Sequence, residues 1–373
     1  MNIAITANTS WYLYNFRKNT FIRLIQEGYK VYAISPEDEY SEKLQELGVT
    51  FINVNINKSG VNPIQEIATL FSFYYIYRKL TLDVVLNFTP KNNVYSTIAA
   101  KLRGISVINN IAGLGVTFIK DDFKSKFMKA LYRISQKFAD IVFFQNEDDR
   151  TLFIDNNLIN IEKTDRLPGS GVDLSRFLVS EAPNDDVVRF LLIARMLHDK
   201  GIGHYVEAAR VLKSKFGSKV EFRLLGFLGV DNPSAVTKTE MDSWVKEGVV
   251  TYLGTSDSVE TEIAFADCIV LPSYYREGVP KTLLEAGAMG KPIVTTDNVG
   301  CRETVDEGIN GYLCFPRSTN SLVASLESMF SLEHDKRVSM GVASRKKVEQ
   351  HFDEEIVINK YISAINKVFK DKK

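Results

Sequence analysis

Two glutamates, Glu277 and Glu285, stand with seven residues between them in the stretch LPSYYREGVPKTLLEAGAMGKPIVTTD, residues 271–297. The pattern predicts a buried strand ending near Leu271, a loop through Tyr274 to Val279, a helix opening at Pro280 and a stop at Gly290. A further strand follows from Pro292 to Thr295. At ~1.5 Å per helical residue the two carboxylates are at most about 12 Å apart. That is the span of a sugar ring, a diphosphate and a ribose, so each acid could accept hydrogen bonds from hydroxyls at one end of a nucleotide-sugar. The phosphates would sit between them, on the free N–H groups and positive dipole end of a helix beginning at Gly278, Val279 and Pro280. Isolated glutamates are mostly solvated, and two surface positions are the alternative.

The elements that must hold such a loop can be read from the rest of the chain. Its 373 residues exceed one ordinary doubly wound domain, and 45% hydrophobic with 25% charged residues is a globular composition. The first half alternates strand and helix, with strands expected at residues 2–6, 30–34, 50–54, 83–87, 106–110 and 140–145, and helices such as 12–27 and 63–80. A second alternating series starts at Val188. The polar stretch after LPGSGVDLSRF (167–177) is the expected linker, giving domains 1–178 and 179–352 and a last helix from residue 353 to the C-terminal end at 373.

Composition also excludes some functions. Net charge is zero, which argues against nucleic-acid binding, yet residues 58–137 carry 12 Lys or Arg against 4 acids, a local charge of +8. That asymmetry points to an anionic partner for the first half. Helical stretches Ala68–Leu80, rich in aromatics, and Lys120–Phe138, basic and amphipathic, suit the headgroup layer of an anionic membrane leaflet; ordinary packing on the sheet is the other reading. Cys268, Cys301 and Cys314 show no metal or disulfide spacing. There is no run of eighteen apolar residues and no signal peptide, so a cytoplasmic protein at the membrane periphery is expected.

The turn after the first strand, ANTSWYLYNFRKN, lacks phosphate-wrapping glycines. Its polar residues, Asn15 and Arg17 among them, suit an acceptor, unless Trp11, Tyr12 and Phe16 merely staple the helix to the sheet. In NNIAGLGVTF, Gly113 and Gly115 form a Gly-x-Gly without the third glycine of a dinucleotide fingerprint, and a close approach by an acceptor is the better use of them.

Glu-Gly-x-Pro, Leu-Leu-Glu-Ala and Gly-Lys-Pro within 277–292 together resemble the donor-site signature of retaining family 4 glycosyltransferases. The resemblance implies a GT-B fold of the α/β class, with two doubly wound Rossmann-like domains facing a central cleft and the C-terminal helix crossing back to the first. Arg195 and Lys200 in ARMLHDKG look like the family's Arg and Lys at the donor diphosphate, where fixed cations stabilise the departing charge. Gly226 is placed to leave room for a base or sugar, residues 252–256 resemble the segment framing the nucleobase, and Glu303 and Gly311 are placed as in the family. SGVD resembles its Asn-Gly-Val-Asp turn with Ser170 in place of Asn, and the Gly113–Gly115 loop is similar to that of lipid-linked oligosaccharide transferases.

By this resemblance Arg195, Lys200 and Glu277 are catalytic, with Glu277 orienting the sugar. Gly278, Val279, Pro280, Gly226 and Glu285 bind the donor, Glu285 at the ribose. The leaving phosphate oxygen takes the acceptor proton, and no residue is assigned as nucleophile. No Asp-x-Asp occurs, so no metal and no cofactor beyond the nucleotide-sugar is implied. The expected reaction is transfer of a hexose or N-acetylhexosamine from a UDP-sugar to a polyprenyl-diphosphate-linked glycan, in bacterial surface polysaccharide or glycoprotein glycan synthesis. A UDP-N-acetylglucosamine 2-epimerase and an inactive nucleotide-sugar-binding subunit are the alternatives.

Overall fold

The computed structural model describes residues 1–56, 62–114, 123–181 and 183–371. The chain forms two units, Met1–Ser170 with Glu355–Lys373, and Gly171–Glu354. In the first, a parallel sheet has the order β3-β2-β1-β4-β5-β6-β7. Its strands are β1 (Asn2–Thr6), β2 (Lys30–Ser35), β3 (Thr50–Asn53), β4 (Val84–Asn87), β5 (Ser106–Ile111), β6 (Ile141–Phe144) and β7 (Thr164–Arg166). Period-two alternation feeds two apolar layers, with Ile3 and Ile5 in one and Ala4 in the other. Helices α1 (Ser10–Gln26) and α2 (Ser41–Glu46) connect β1 to β2 and β2 to β3, and α3 (Pro63–Lys79) leads from β3 to β4. Between β4 and β5 a π-helical turn (Asn92–Ser96) runs into α4 (Thr97–Leu102); α5 (Phe123–Ser135) and α6 (Glu147–Asp155) precede β6 and β7.

The π-turn belongs to a buried polar network that no apolar pattern announces. Asn87 donates to Asn109 Oδ1 at 2.9 Å, Asn109 donates to Gln136 Oε1 at 2.7 Å, and Asn92 donates to Thr6 Oγ1 at 3.0 Å. These bonds satisfy amides that would otherwise be costly to desolvate.

In the second unit the order is β10-β9-β8-β11-β12-β13. Its strands are β8 (Val188–Ile193), β9 (Val220–Leu225), β10 (Thr251–Tyr252), β11 (Cys268–Leu271), β12 (Ile293–Thr296) and β13 (Gly311–Cys314). Helices α7 (Ile202–Phe216), α8 (Lys238–Lys246), α9 (Val259–Ala264), α10 (Lys281–Ala288), α11 (Thr319–Phe330) and α12 (His334–His351) cover it. The three cysteines are free and buried, Cys268 and Cys314 in one apolar layer and Cys301 in the other.

The unit boundary falls at Ser170/Gly171, eight residues before the expected 178/179. Residues 171–178 are tied to the second unit because Val172 N donates to Phe352 O at 2.9 Å and Phe177 is buried in that unit's core. Gly171 has φ +72°, and a Cβ there would lie 2.4 Å from Glu354 Cα, so the close crossing requires glycine. Helix α13 (Glu354–Lys370) buries Val357, Tyr361, Ala364, Ile365 and Val368 in the layer that holds Ile3 and Ile5, which is why its residues cluster with the first unit.

Candidate active site

In the second sheet the chain moves outward in one direction from β8 to β9 and in the other from β11 to β12. The loops leaving β8 and β11 therefore diverge at their carboxyl ends, the place where open α/β sheets bind ligands. Arg195 and Lys200 lie on the first loop and Glu277 on the second.

The loop after β8 closes with a 3₁₀ turn, His198–Lys200, and Gly201 at φ +81°; a Cβ on Gly201 would lie 2.1 Å from Pro272 O. Only glycine allows the two loops to approach this closely. Backbone bonds complete the union, with Tyr274 N and Tyr275 N donating to Asp199 O at 3.0 and 3.1 Å. The loop after β12 locks the other side. Asn298 Nδ2 donates to Tyr275 O at 2.9 Å, Thr296 Oγ1 to Ser273 O, and a Cβ on Gly300 would lie 1.4 Å from Gly278 O.

Within this frame Lys200 Nζ donates to Glu277 Oε1, and the two side chains are 13% and 11% exposed. Ser273 Oγ donates to the same carboxylate oxygen at 2.8 Å. Lys200 Nζ also lies 5.0 Å from the centre of the Tyr275 ring. Burial, then the charge of Glu277, raises the Tyr275 phenol pKa, opposed by Arg195. Arg195 itself is exposed. Lys200 is thus a positioned cation and Arg195 an open one on the same rim.

Glu285 is buried, 7% exposed, on α10. The surface alternative for this residue does not hold. Burial raises its carboxyl above the usual glutamate value, and the charges of Lys281 and Arg176 oppose the shift. Lys281 Nζ stands 4.0 Å away, and Arg176 is itself paired with Glu260 at 2.9 Å. Helix α10 starts at Lys281 with Pro280 as its N-cap and no side-chain cap, one residue later than the sequence pattern suggests; Gly278 and Val279 are buried just before it.

Other expected residues are placed differently. Gly226 has φ +142°, and a Cβ there would lie 1.8 Å from Ala194 O, so the space of its missing side chain is taken by neighbouring backbone. Arg17 is 1% exposed, with its guanidinium carbon 4.2 Å from the centre of the Phe88 ring and 5.7 Å from that of Tyr361. It falls on the buried stripe Ser10, Leu13, Arg17, Thr20, Phe21, Leu24 of α1 and is a core cation–π partner, not an available acceptor contact. Asn15, half-buried, donates to Trp11 O at 2.9 Å. Tyr12 and Phe16 stack on one another at 4.8 Å along α1, while Trp11 is exposed. Gly113 has φ +100°, a conformation suited to glycine; Gly115 lies outside the described residues.

Sequence reasoning passed over Ser273 and Asp199. Ser273 precedes Glu277 by four residues in the same loop, a spacing that could have suggested a local bond, whereas the Asp199 carbonyl contact depends on which strands are neighbours.

Comparison with known proteins finds matches in both units. The family described as Glycosyl transferases group 1 matches residues 176–347, and that described as Glycosyl transferase 4-like matches residues 2–146. The chain is 28% identical, over 100% of both lengths, to the N,N'-diacetylbacillosaminyl-diphospho-undecaprenol alpha-1,3-N-acetylgalactosaminyltransferase of Campylobacter jejuni. It is 24% identical to the UDP-Gal:alpha-D-GlcNAc-diphosphoundecaprenol alpha-1,3-galactosyltransferase of Escherichia coli, covering 72% of this chain and 71% of that one. Its fold matches that of Anabaena HepE, solved in complex with UDP, with a TM-score of 0.78 at 17% identity over 98% of this chain and 99% of the other. The two parallel sheets, the loops interlocked around Lys200 and Glu277 and both family matches identify the chain as a glycosyltransferase of family 4 with the GT-B architecture.

Proposed function

We propose that the protein transfers a hexose or N-acetylhexosamine from a UDP-sugar to a polyprenyl-diphosphate-linked glycan, with retention at the anomeric carbon and without a metal ion. The observation that carries this reading is the Lys200–Glu277 pair at the diverging loops of β8 and β11, backed by the N-terminus of α10. Lys200, Arg195 and the helix tip supply positive potential for a leaving diphosphate. Glu277 is engaged by Lys200 and Ser273, which suits a carboxylate that fixes sugar hydroxyls better than one that attacks carbon. On that assignment the leaving phosphate oxygen accepts the acceptor's proton, and Glu285 holds the ribose.

The acceptor class is supported by the two relatives whose names specify diphospho-undecaprenol substrates. On this reading the reaction takes place at the cytoplasmic face of a bacterial membrane, and the basic segment 58–137, of which 58–61 and 115–122 lie outside the described residues, meets its anionic lipids.

A panel of UDP-sugars with polyprenyl-diphosphate glycans, run with and without EDTA, tests the reading. The expected product keeps the donor's anomeric configuration by NMR and forms equally with EDTA. An inverted linkage, or activity abolished by EDTA, would overturn the mechanism. Conversion of a UDP-sugar into its isomer without acceptor would identify an epimerase instead.

A further inference from the structure

Helix α3 buries Glu66, Thr69, Phe73 and Tyr77 against its unit and turns large apolar side chains outward. Ile64, Ile67, Phe71 and Tyr75 are 79%, 56%, 52% and 54% exposed. Steps of three, four and four residues put them in one stripe, about 16 Å long at ~1.5 Å per residue. The Phe71 and Tyr75 rings are 6.4 Å apart, and Tyr75 meets Tyr74 at 5.9 Å. A contiguous exposed apolar face of this kind marks an interaction surface.

The charges bordering the stripe decide its partner. Arg78 and Lys79 are exposed at the end of α3, and Arg103 lies 5.9 Å from the centre of the Tyr74 ring, next to exposed Lys101 and Leu102. Acids in residues 62–114 are Glu66 and Asp83. Glu66 is paired with Lys91 at 2.5 Å, and Asp83 accepts from Asn2 N at 2.8 Å. A second copy docked on this face by two-fold symmetry would present the same cations and apolar side chains, with neither of these acids turned outward to answer them. Helix α5 is also basic, with Phe127 and Ile134 43% and 53% exposed.

We propose that the outer face of α3 is the surface by which the chain docks on an anionic lipid bilayer, with Ile64, Ile67, Phe71 and Tyr75 in the headgroup–acyl boundary and Arg78, Lys79, Lys101 and Arg103 on lipid phosphates. This deepens the membrane placement in the proposed function and rests on it for its purpose; the binding itself is measurable without any transfer reaction.

The test is co-sedimentation of the full chain with phosphatidylcholine vesicles, with and without phosphatidylglycerol, for the wild type and for Ile67→Glu/Phe71→Glu. The wild type binds the anionic vesicles, and the double variant loses roughly tenfold or more in partitioning while its circular dichroism and its transfer to a water-soluble short-chain acceptor stay unchanged. Equal binding by wild type and variant overturns the proposal. So does a wild type that ignores vesicles and forms a dimer that the variant dissolves. Absence of transfer by the wild type to any acceptor would instead count against the proposed function and leave the vesicle result standing.

Discussion

Breaking the Lys200–Glu277 pair separates a structural from a catalytic role. In Lys200→Met the Glu277 carboxylate keeps Ser273 Oγ at 2.8 Å but loses its cation in a site where both side chains are close to nine-tenths buried. Fully buried pairs cost ~3–5 kcal/mol to break and exposed ones ~0–1 kcal/mol, which sets the expected loss here at about 2 kcal/mol. For a unit of this size that is roughly 4–8 °C in Tm. Glu277→Gln leaves Lys200 an amide oxygen and costs about 1 kcal/mol. In the double variant Lys200→Met/Glu277→Gln no charge is stranded, so the sum is not reached and a coupling of about 1–2 kcal/mol appears in the cycle. Activity is expected to behave otherwise. Without a fixed cation at the leaving diphosphate, kcat falls by roughly 10²–10³ and stays down in the double variant. Calorimetry and steady-state transfer assays on the four proteins read both quantities. Recovery of turnover together with Tm in the double variant would mean that the pair merely holds two loops together, and the catalytic assignment would fail.

Glu285→Gln should weaken UDP binding roughly tenfold while leaving Tm equal or higher, because the substitution keeps the shape and removes a buried charge. Because burial raises the Glu285 carboxyl, wild-type UDP affinity should decline on acidification sooner than an ordinary glutamate would dictate. The sign for folding is opposite: a raised carboxyl contributes stability at acid pH that is lost as pH rises through the raised value. Titration calorimetry across pH checks both, and an unchanged pH profile in Glu285→Gln would remove this residue from the donor site. Gly226→Ala, which would force a Cβ to 1.8 Å from Ala194 O, is expected to destabilise the second unit by about 2–4 kcal/mol. A variant with wild-type denaturant stability and weaker donor binding would restore Gly226 to the ligand.

By itself the sequence determined the strand–helix alternation and the strand–loop–helix frame that carries Glu277 and Glu285. β1 matches its expected span of residues 2–6, α3 begins at Pro63 as the proline at a first helical position predicts, and α10 carries Glu285 on its second turn. These features are local, set by side-chain periodicity, proline and glycine within a few residues. Tertiary structure decided what periodicity does not encode. It set Glu277 against Lys200, 77 positions apart, because β8 and β11 are neighbours in the sheet while β9 and β10 lie on the other side. It moved the unit boundary to Gly171 through a crossing with Glu354, and it made Arg17 a core residue by closing Phe88 and Tyr361 over it. The physical reason is common to all three. A side chain's pairing energy depends on the distance and desolvation imposed by strand order, and strand order is fixed by the burial of the whole sheet and not by the residues that come to meet there.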